Sequence, residues 1–216
     1  MPVAVSAVAS PAGMVAAGEH GTGVLTMSVP RGEKASALRD FWGIAEESAA
    51  SNGMKVARSE WRVVLHVHLA DSRKEALRQI QERGGRYRID YSEGAIGIFP
   101  PSGMSVESAA ATLAEEGDWC IGTPDDLIAK IHALQDYTGG FGRLLVQAID
   151  WAETEHLIRS YELIARYVMP EFQGSLSGLQ ASFQDVASVT AETRALRAEA
   201  EAKARDDYAA QQNAGR

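Results

Sequence analysis

Cysteine is nearly absent from this 216-residue chain. Cys120 stands alone, which excludes an intrachain disulfide and any CxxC metal or redox pair. Long apolar runs are missing too, and none approaches the roughly 20 residues with which a helix crosses a bilayer. Positive charge is in deficit, with 21 Lys and Arg against 29 Asp and Glu and a formal net charge of −8. Such a surface repels phosphodiester backbones, so nucleic-acid binding has no electrostatic support. The opening MPVAVSAVAS carries no basic stretch of the secretory type. A reduced, cytoplasmic protein with neither nucleic acid nor membrane as partner is the expectation. The remaining balance, 45% apolar and 23% charged, is that of an ordinary folded domain.

Short apolar runs alternate with longer helical patterns. Val3–Val8, Gly23–Met27, Trp61–Leu69 and Gly142–Gln147 read as four strands, and helices between such runs imply parallel pairing with right-handed crossovers. Leu38, Phe41, Trp42, Ala45 and Ala49 share one face of a helix that Gly53 ends. Thr123-Pro124-Asp125-Asp126 opens another, with a capping hydroxyl, Pro at the first helical position and two carboxylates at the positive end. Leu127, Ile131 and Leu134 form its buried stripe. Leu157, Tyr161, Ile164 and Val168 repeat at helical spacing until Pro170 stops them. The class is α/β. Gly84–Gly103, dense in Gly, Pro and aromatics, reads either as a mobile lid or as a surface excursion. Residues 175–216 read as a solvated or weakly docked helical tail, separate from residues 1–174.

Three patterns bear on chemistry. Ser10-Pro11-Ala12-Gly13 follows a strand and opens a helix, the natural place for an anion to meet free N–H groups and the helix dipole. The same residues also suit a plain helix cap. His66 and His68 share one face of their strand. Further ligands at metal spacing are lacking, so packed or hydrogen-bonded histidines are expected there and no metal. Gly139-Gly140-Phe141-Gly142 precedes a strand and reads as a helix stop and tight turn. The far end of that strand, Ala148-Ile149-Asp150-Trp151, is the better place for a site. Trp151 offers a face for a planar cofactor, although an interior aromatic is the commoner use of tryptophan.

Ala7-Val-Ala-Ser-Pro-Ala-Gly13, Ala17-Gly18, His20-Gly21 and Gly23-Val-Leu25 resemble, in that order, the middle of the luciferase-like flavin monooxygenase family. So does Val67-His-Leu-Ala-Asp-Ser-Arg-Lys-Glu-Ala76. Ile121-Gly-Thr-Pro-Asp-Asp-Leu-Ile128, Gly139–Gly142, Arg159–Leu163 and Val168–Pro170 are similar to its closing part, and the limonene or terpene monooxygenase-like branch is the nearest in character. The resemblance runs over residues 3–174 and omits the family's first four strands.

The resemblance implies the carboxyl-terminal half of a (β/α)8 barrel, with strands five to eight at Val3–Ala9, Gly23–Met27, Arg62–Leu69 and Arg143–Ala148. It implies reduced FMN, or less favourably a deazaflavin, with the phosphate at Ser10 and Gly13 and the backbone of Ala9, and Trp151 beside the cofactor. It implies a monooxygenase that takes O2, a flavin reductase and a small organic substrate of which terpenes are one class. The alternatives to it are a non-catalytic flavin-binding or interaction module and a deazaflavin-dependent oxidoreductase. Half a barrel leaves strand edges open, so self-association or a complementary half barrel is expected. No catalytic acid or base emerges.

Overall fold

The computed structural model describes residues 3–7, 11–27, 33–174 and 177–214. The chain divides into two compact units, Met1–Met169 and Pro170–Arg216. The first holds five parallel strands: β1 (Ala4–Ala7), β2 (Gly23–Thr26), β3 (Trp61–Leu69), β4 (Trp119–Gly122) and β5 (Arg143–Val146). Their helices are α1 (Ala12–His20), α2 (Glu33–Ser51), α3 (Arg73–Arg86), α4 (Val106–Glu115), α5 (Pro124–Thr138) and α6 (Thr154–Leu163).

The sheet is organised around β3. β1 pairs with β2, and β2 with the start of β3. β3 then serves two further partners in succession: Arg62–Leu65 pair with β5, and His66–Leu69 pair with β4. The four strands read from the sequence are all present. β4 is the addition, because Trp-Cys-Ile-Gly is too short for periodicity to distinguish from the approach to a helix. It stands between the turn at Gly117-Asp118 and the Thr123 cap, whose hydroxyl and Asp126 form a capping box.

Among the described residues, two buried clusters stand out in this unit. One joins Met14, Ala17, Val24, Leu38, Trp42, Trp61 and Val63, and includes the expected stripe of α2. The other joins Ala76, Ile80, Ala110, Leu113, Trp119, Ile121 and Trp151. Leu127, Ile131 and Leu134 of α5 are buried as their spacing predicts, and Gly139, with φ 75°, ends that helix.

Two readings change. Gly84–Gly103 is helical over most of its length: α3 runs through Gly84 and Gly85, and a π-helix follows from Tyr87 to Ala95. A Cβ on Gly85 would lie 1.9 Å from the Val106 carbonyl oxygen, so this glycine lets α3 and α4 meet. Arg88 and Glu93 form an ion pair at 2.5 Å with side chains 12% and 8% exposed, and Arg88 lies over the Phe99 ring at 4.5 Å. The stripe of α6 also shifts. Tyr161 is 45% exposed, while Ser160, Leu163 and Val168 are buried. Ser160 is drawn inward because its hydroxyl accepts the Leu69 N–H at 2.9 Å. Pro170 does not stop the run. A π-helix over Ile164–Val168 precedes it and helix α7 continues through Met169–Phe172, the wider turn accommodating the proline ring and its missing N–H.

The second unit consists mainly of α8 (Ser177–Ala214). Phe183, Val186, Val189 and Leu196 are exposed on it, and Glu201 pairs with Arg197 and Arg205 at helical spacing.

Candidate functional site

Because the strands are parallel, their carboxyl ends share one edge, where α/β folds place their chemistry. Two features stand there. The first is the amino end of α1. Pro11 precedes it, no side chain among the described residues caps it and its first turn carries no acidic residue, so its leading N–H groups and positive dipole end are uncompensated by this helix. Ala9 and Ser10 lie outside the described residues. Gly13 is placed in the first turn, and a Cβ there would sit 2.5 Å from the Ser6 carbonyl oxygen and 2.9 Å from the Ala7 Cβ. Glycine is therefore required for α1 to lie against β1, whatever else this turn holds.

The second feature is a cleft of about 650 Å³ beyond β5, lined by Gln147–Asp150 and, from the opposite wall, by Arg83, Arg86, Tyr87, Asp90 and Tyr91. Its size falls within the range of small-molecule sites. The Tyr87 and Tyr91 rings stack with centroids 5.8 Å apart and planes at 29°. Gln147 donates from Nε2 to the Tyr87 hydroxyl at 3.1 Å, which ties the π-helix to the end of β5. Arg83 is held by Glu153 at 2.5 Å and by the Ala152 carbonyl at 3.1 Å. Arg86 is held more loosely, by Glu82 at 3.3 Å and Asp90 at 3.5 Å.

Behind this wall lies an aromatic array. His66 is 5.6 Å from Trp119, nearly parallel to it, and 5.9 Å from Tyr87. Trp151 packs 5.0 Å from Trp119 and 6.3 Å from both His66 and His68. The two histidines thus share a face, as alternation requires. Burial pushes the His66 pKa down to about 4, so the ring is neutral at physiological pH. Burial also lowers that of His68, against a smaller opposing effect of its bond with Gln79. Gln79 donates its amide N–H to Glu75, so its oxygen takes the His68 Nε2–H at 2.8 Å. Nδ1 of His68 is left buried without a partner. Among the described residues no group of three or more His, Cys, Asp and Glu is placed to hold a metal. Burial raises the Cys120 thiol to about 12, which keeps it protonated and unreactive.

Of the residues singled out in the sequence, Gly13 and Trp151 both follow carboxyl ends of strands, but they are not brought into contact. Trp151 is 1% exposed and presents no free face. Arg86, Tyr87 and Tyr91 lie in the Gly84–Gly103 segment, whose position resembles the family's active-site loop, but neither they nor Gln147 were singled out individually as site residues. The signal available was the spacing Tyr87-x-x-x-Tyr91, which sets two rings on one helical face.

No family model matches the chain. Among curated proteins it is 42% identical over 204 residues to 4-hydroxyprotoasukamycin monooxygenase of Streptomyces nodosus subsp. asukaensis, covering 93% of this chain and 54% of that protein. It is 35% identical to limonene 1,2-monooxygenase of Rhodococcus erythropolis over 80% of this chain and 44% of that one. Among solved structures, the oxygenating constituent of 3,6-diketocamphane monooxygenase from Pseudomonas putida, a type II Baeyer-Villiger monooxygenase in complex with FMN, matches with a TM-score of 0.61 and 27% identity, covering 78% of this chain and 48% of that one. The chain spans about half the length of the curated relatives it matches. Among the described residues no helix is long and apolar enough to cross a membrane. In sequence and in its parallel α/β fold, the chain is similar to monooxygenases of the luciferase-like type, matching about half their length.

Proposed function

We propose that this chain is the carboxyl-terminal half of a cytoplasmic flavin-dependent monooxygenase that places one oxygen atom from O2 into a small organic substrate, using FMN reduced by a separate reductase. The observation that supports this most directly is the shared edge of the sheet. The uncapped start of α1 follows β1 and the tyrosine-lined cleft follows β5, three strand spacings or roughly 14 Å apart along the sheet. That span suits a mononucleotide lying between them.

In this reading Ser10, Gly13 and the backbone of Ala9 take the phosphate. Ser10 supplies a hydroxyl donor, the first-turn N–H groups of α1 supply the rest, and the absence of an acid in that turn avoids repulsion. When bound, the flavin supplies the oxygen-activating chemistry. The chain's own part is to hold it, to keep water from the cleft and to orient the substrate. Tyr87, fixed by Gln147, forms the cleft wall. Trp151 backs that wall through Trp119 and His66.

Among the described residues β1 pairs only with β2, and β5 only with β3, which leaves each an edge for a complementary half barrel or a second copy. The rival reading is a flavin-binding module without turnover. Titration with FMN, riboflavin and the deazaflavin F420 tests the cofactor. Ser10→Ala should weaken FMN more than tenfold, by loss of a charge-assisted bond of about 1.5–3 kcal/mol, while riboflavin binding is unchanged. Equal binding of FMN and riboflavin by the unaltered chain would refute the phosphate site. Oxygenation that appears only on co-expression with a four-strand amino half of a full-length relative would favour the enzyme over the storage module.

A further inference from the structure

We infer that the cleft beyond β5 is a recognition site for planar ring compounds bearing neutral oxygen substituents, such as phenols and enones, in preference to saturated rings and to carboxylates. This rests on the reading above in one respect only, that the carboxyl edge is the working end of the fold.

Three observations carry it. Tyr91 is 52% exposed while its ring stacks on Tyr87 at 5.8 Å, so one aromatic face is anchored from behind and open in front. A planar ring continues such a stack, and a puckered saturated ring of the same carbon skeleton does not. The anchoring is firm, because Tyr87 accepts from Gln147 at 3.1 Å and lies 5.9 Å and 6.3 Å from His66 and Trp119. The charge of the lining selects the substituent. Arg83 and Arg86 are offset by Asp90 and Asp150, and Arg83 is already committed to Glu153. A carboxylate entering there can reach Arg86 but meets two like charges and has no proton to donate to Asp150. A hydroxyl meets both kinds of partner, donating to Asp150 and accepting from Arg86, and a carbonyl accepts from Arg86 without bringing a like charge to the two aspartates. The present contacts of Arg86, at 3.3 Å and 3.5 Å, are long and exposed. The setting on a π-helix, where local backbone irregularity gathers at functional sites, agrees with this placement.

The test is calorimetric titration of the full chain, without flavin, with 2-naphthol, decahydro-2-naphthol and 2-naphthoate. We expect 2-naphthol to bind about fivefold or more tighter than decahydro-2-naphthol, the range that aromatic stacking supplies, and tighter than 2-naphthoate. Tyr91→Leu should abolish the first preference and Tyr91→Phe should keep it. Asp150→Asn should narrow the second. Because Tyr91 is half exposed, the Leu variant is expected to fold, and circular dichroism of each variant checks this. Equal affinity for the planar and saturated alcohols, no binding of either, tighter binding of the carboxylate, or a preference that survives Tyr91→Leu in a folded protein would each overturn the proposal. None of these results depends on FMN, so failure of the cofactor reading and failure of this one are told apart by which titration fails.

Discussion

The two buried clusters of the first unit are built from similar amounts of tryptophan but differ in kind. In the cluster around α1 and α2, Trp42 and Trp61 stack 5.0 Å apart with planes at 17°. Both indole N–H groups are satisfied, by Glu46 at 2.7 Å and Thr26 at 2.8 Å. Arg58 lies over both rings and donates to the Thr138 carbonyl at 2.8 Å. In the cluster around α3, β4 and Trp151, two histidines pack against the tryptophan rings, and Nδ1 of His68 is buried with no partner among the described residues. The first cluster holds both of its indole donors in hydrogen bonds. The second carries titratable rings behind the cleft wall and bears the cost of keeping them neutral. Stability and site construction are thus divided between two halves of one sheet.

The division can be broken in order of size. Trp42→Ala and Trp151→Ala each remove a ring about 1% exposed and should each cost about 3–5 kcal/mol in urea unfolding. The first should leave the Tyr87–Tyr91 wall unchanged and the second should loosen it, as seen in tyrosine near-ultraviolet dichroism. Equal loosening by both would make the clusters one cooperative core.

Acid separates them next. The folded-state pKa of His66, about 4, lies below the 6.5 of the exposed ring. Between those values the unfolded chain binds a proton that the folded chain refuses. Stability from this residue is therefore full above pH 6.5 and declines as pH falls toward 4, by up to about 3 kcal/mol. His66→Phe should flatten that slope, and Trp42→Phe should leave it as it is.

Ser160→Ala strands the buried Leu69 N–H at the end of β3 and should cost about 1–3 kcal/mol, detected as faster amide exchange at Leu69. The smallest effect is expected in the second unit. Arg197→Ala removes an exposed ion pair with Glu201 and should leave the unfolding midpoint unchanged.

The first cluster was legible in the sequence because its stripe on α2 is long and strictly periodic, and because β3 runs for nine residues. The second was not, and the reasons are physical. β4 has four residues, fewer than a periodic signal needs. Gly84 and Gly85 resemble loop residues by composition, yet Gly85 sits in a helix because the Val106 backbone comes too close for any side chain. Ser160 replaces an apolar residue in the α6 stripe because a strand end required an acceptor, a demand visible only once β3 and α6 are adjacent. At the site, the spacing of Gly13 after a strand was readable. Its contact with Ser6 and Ala7 was not, and this means that Gly13→Asp perturbs packing before it perturbs any phosphate.

β3 has a consequence for how the protein comes to be folded. Its bonds reach partners 35 residues away at Thr26, 83 away where Glu60 at its foot meets Arg143, and 91 away at Ser160. Contacts so distant along the chain require large loops to close before they repay any free energy. The foot of β3 must wait for β5 and its tip for β4 and α6, while β1, α1 and β2 can associate early from one short stretch. On the ribosome, this strand would therefore leave the exit tunnel with one partner made and two still unsynthesised, its later half an exposed edge until β4 emerges.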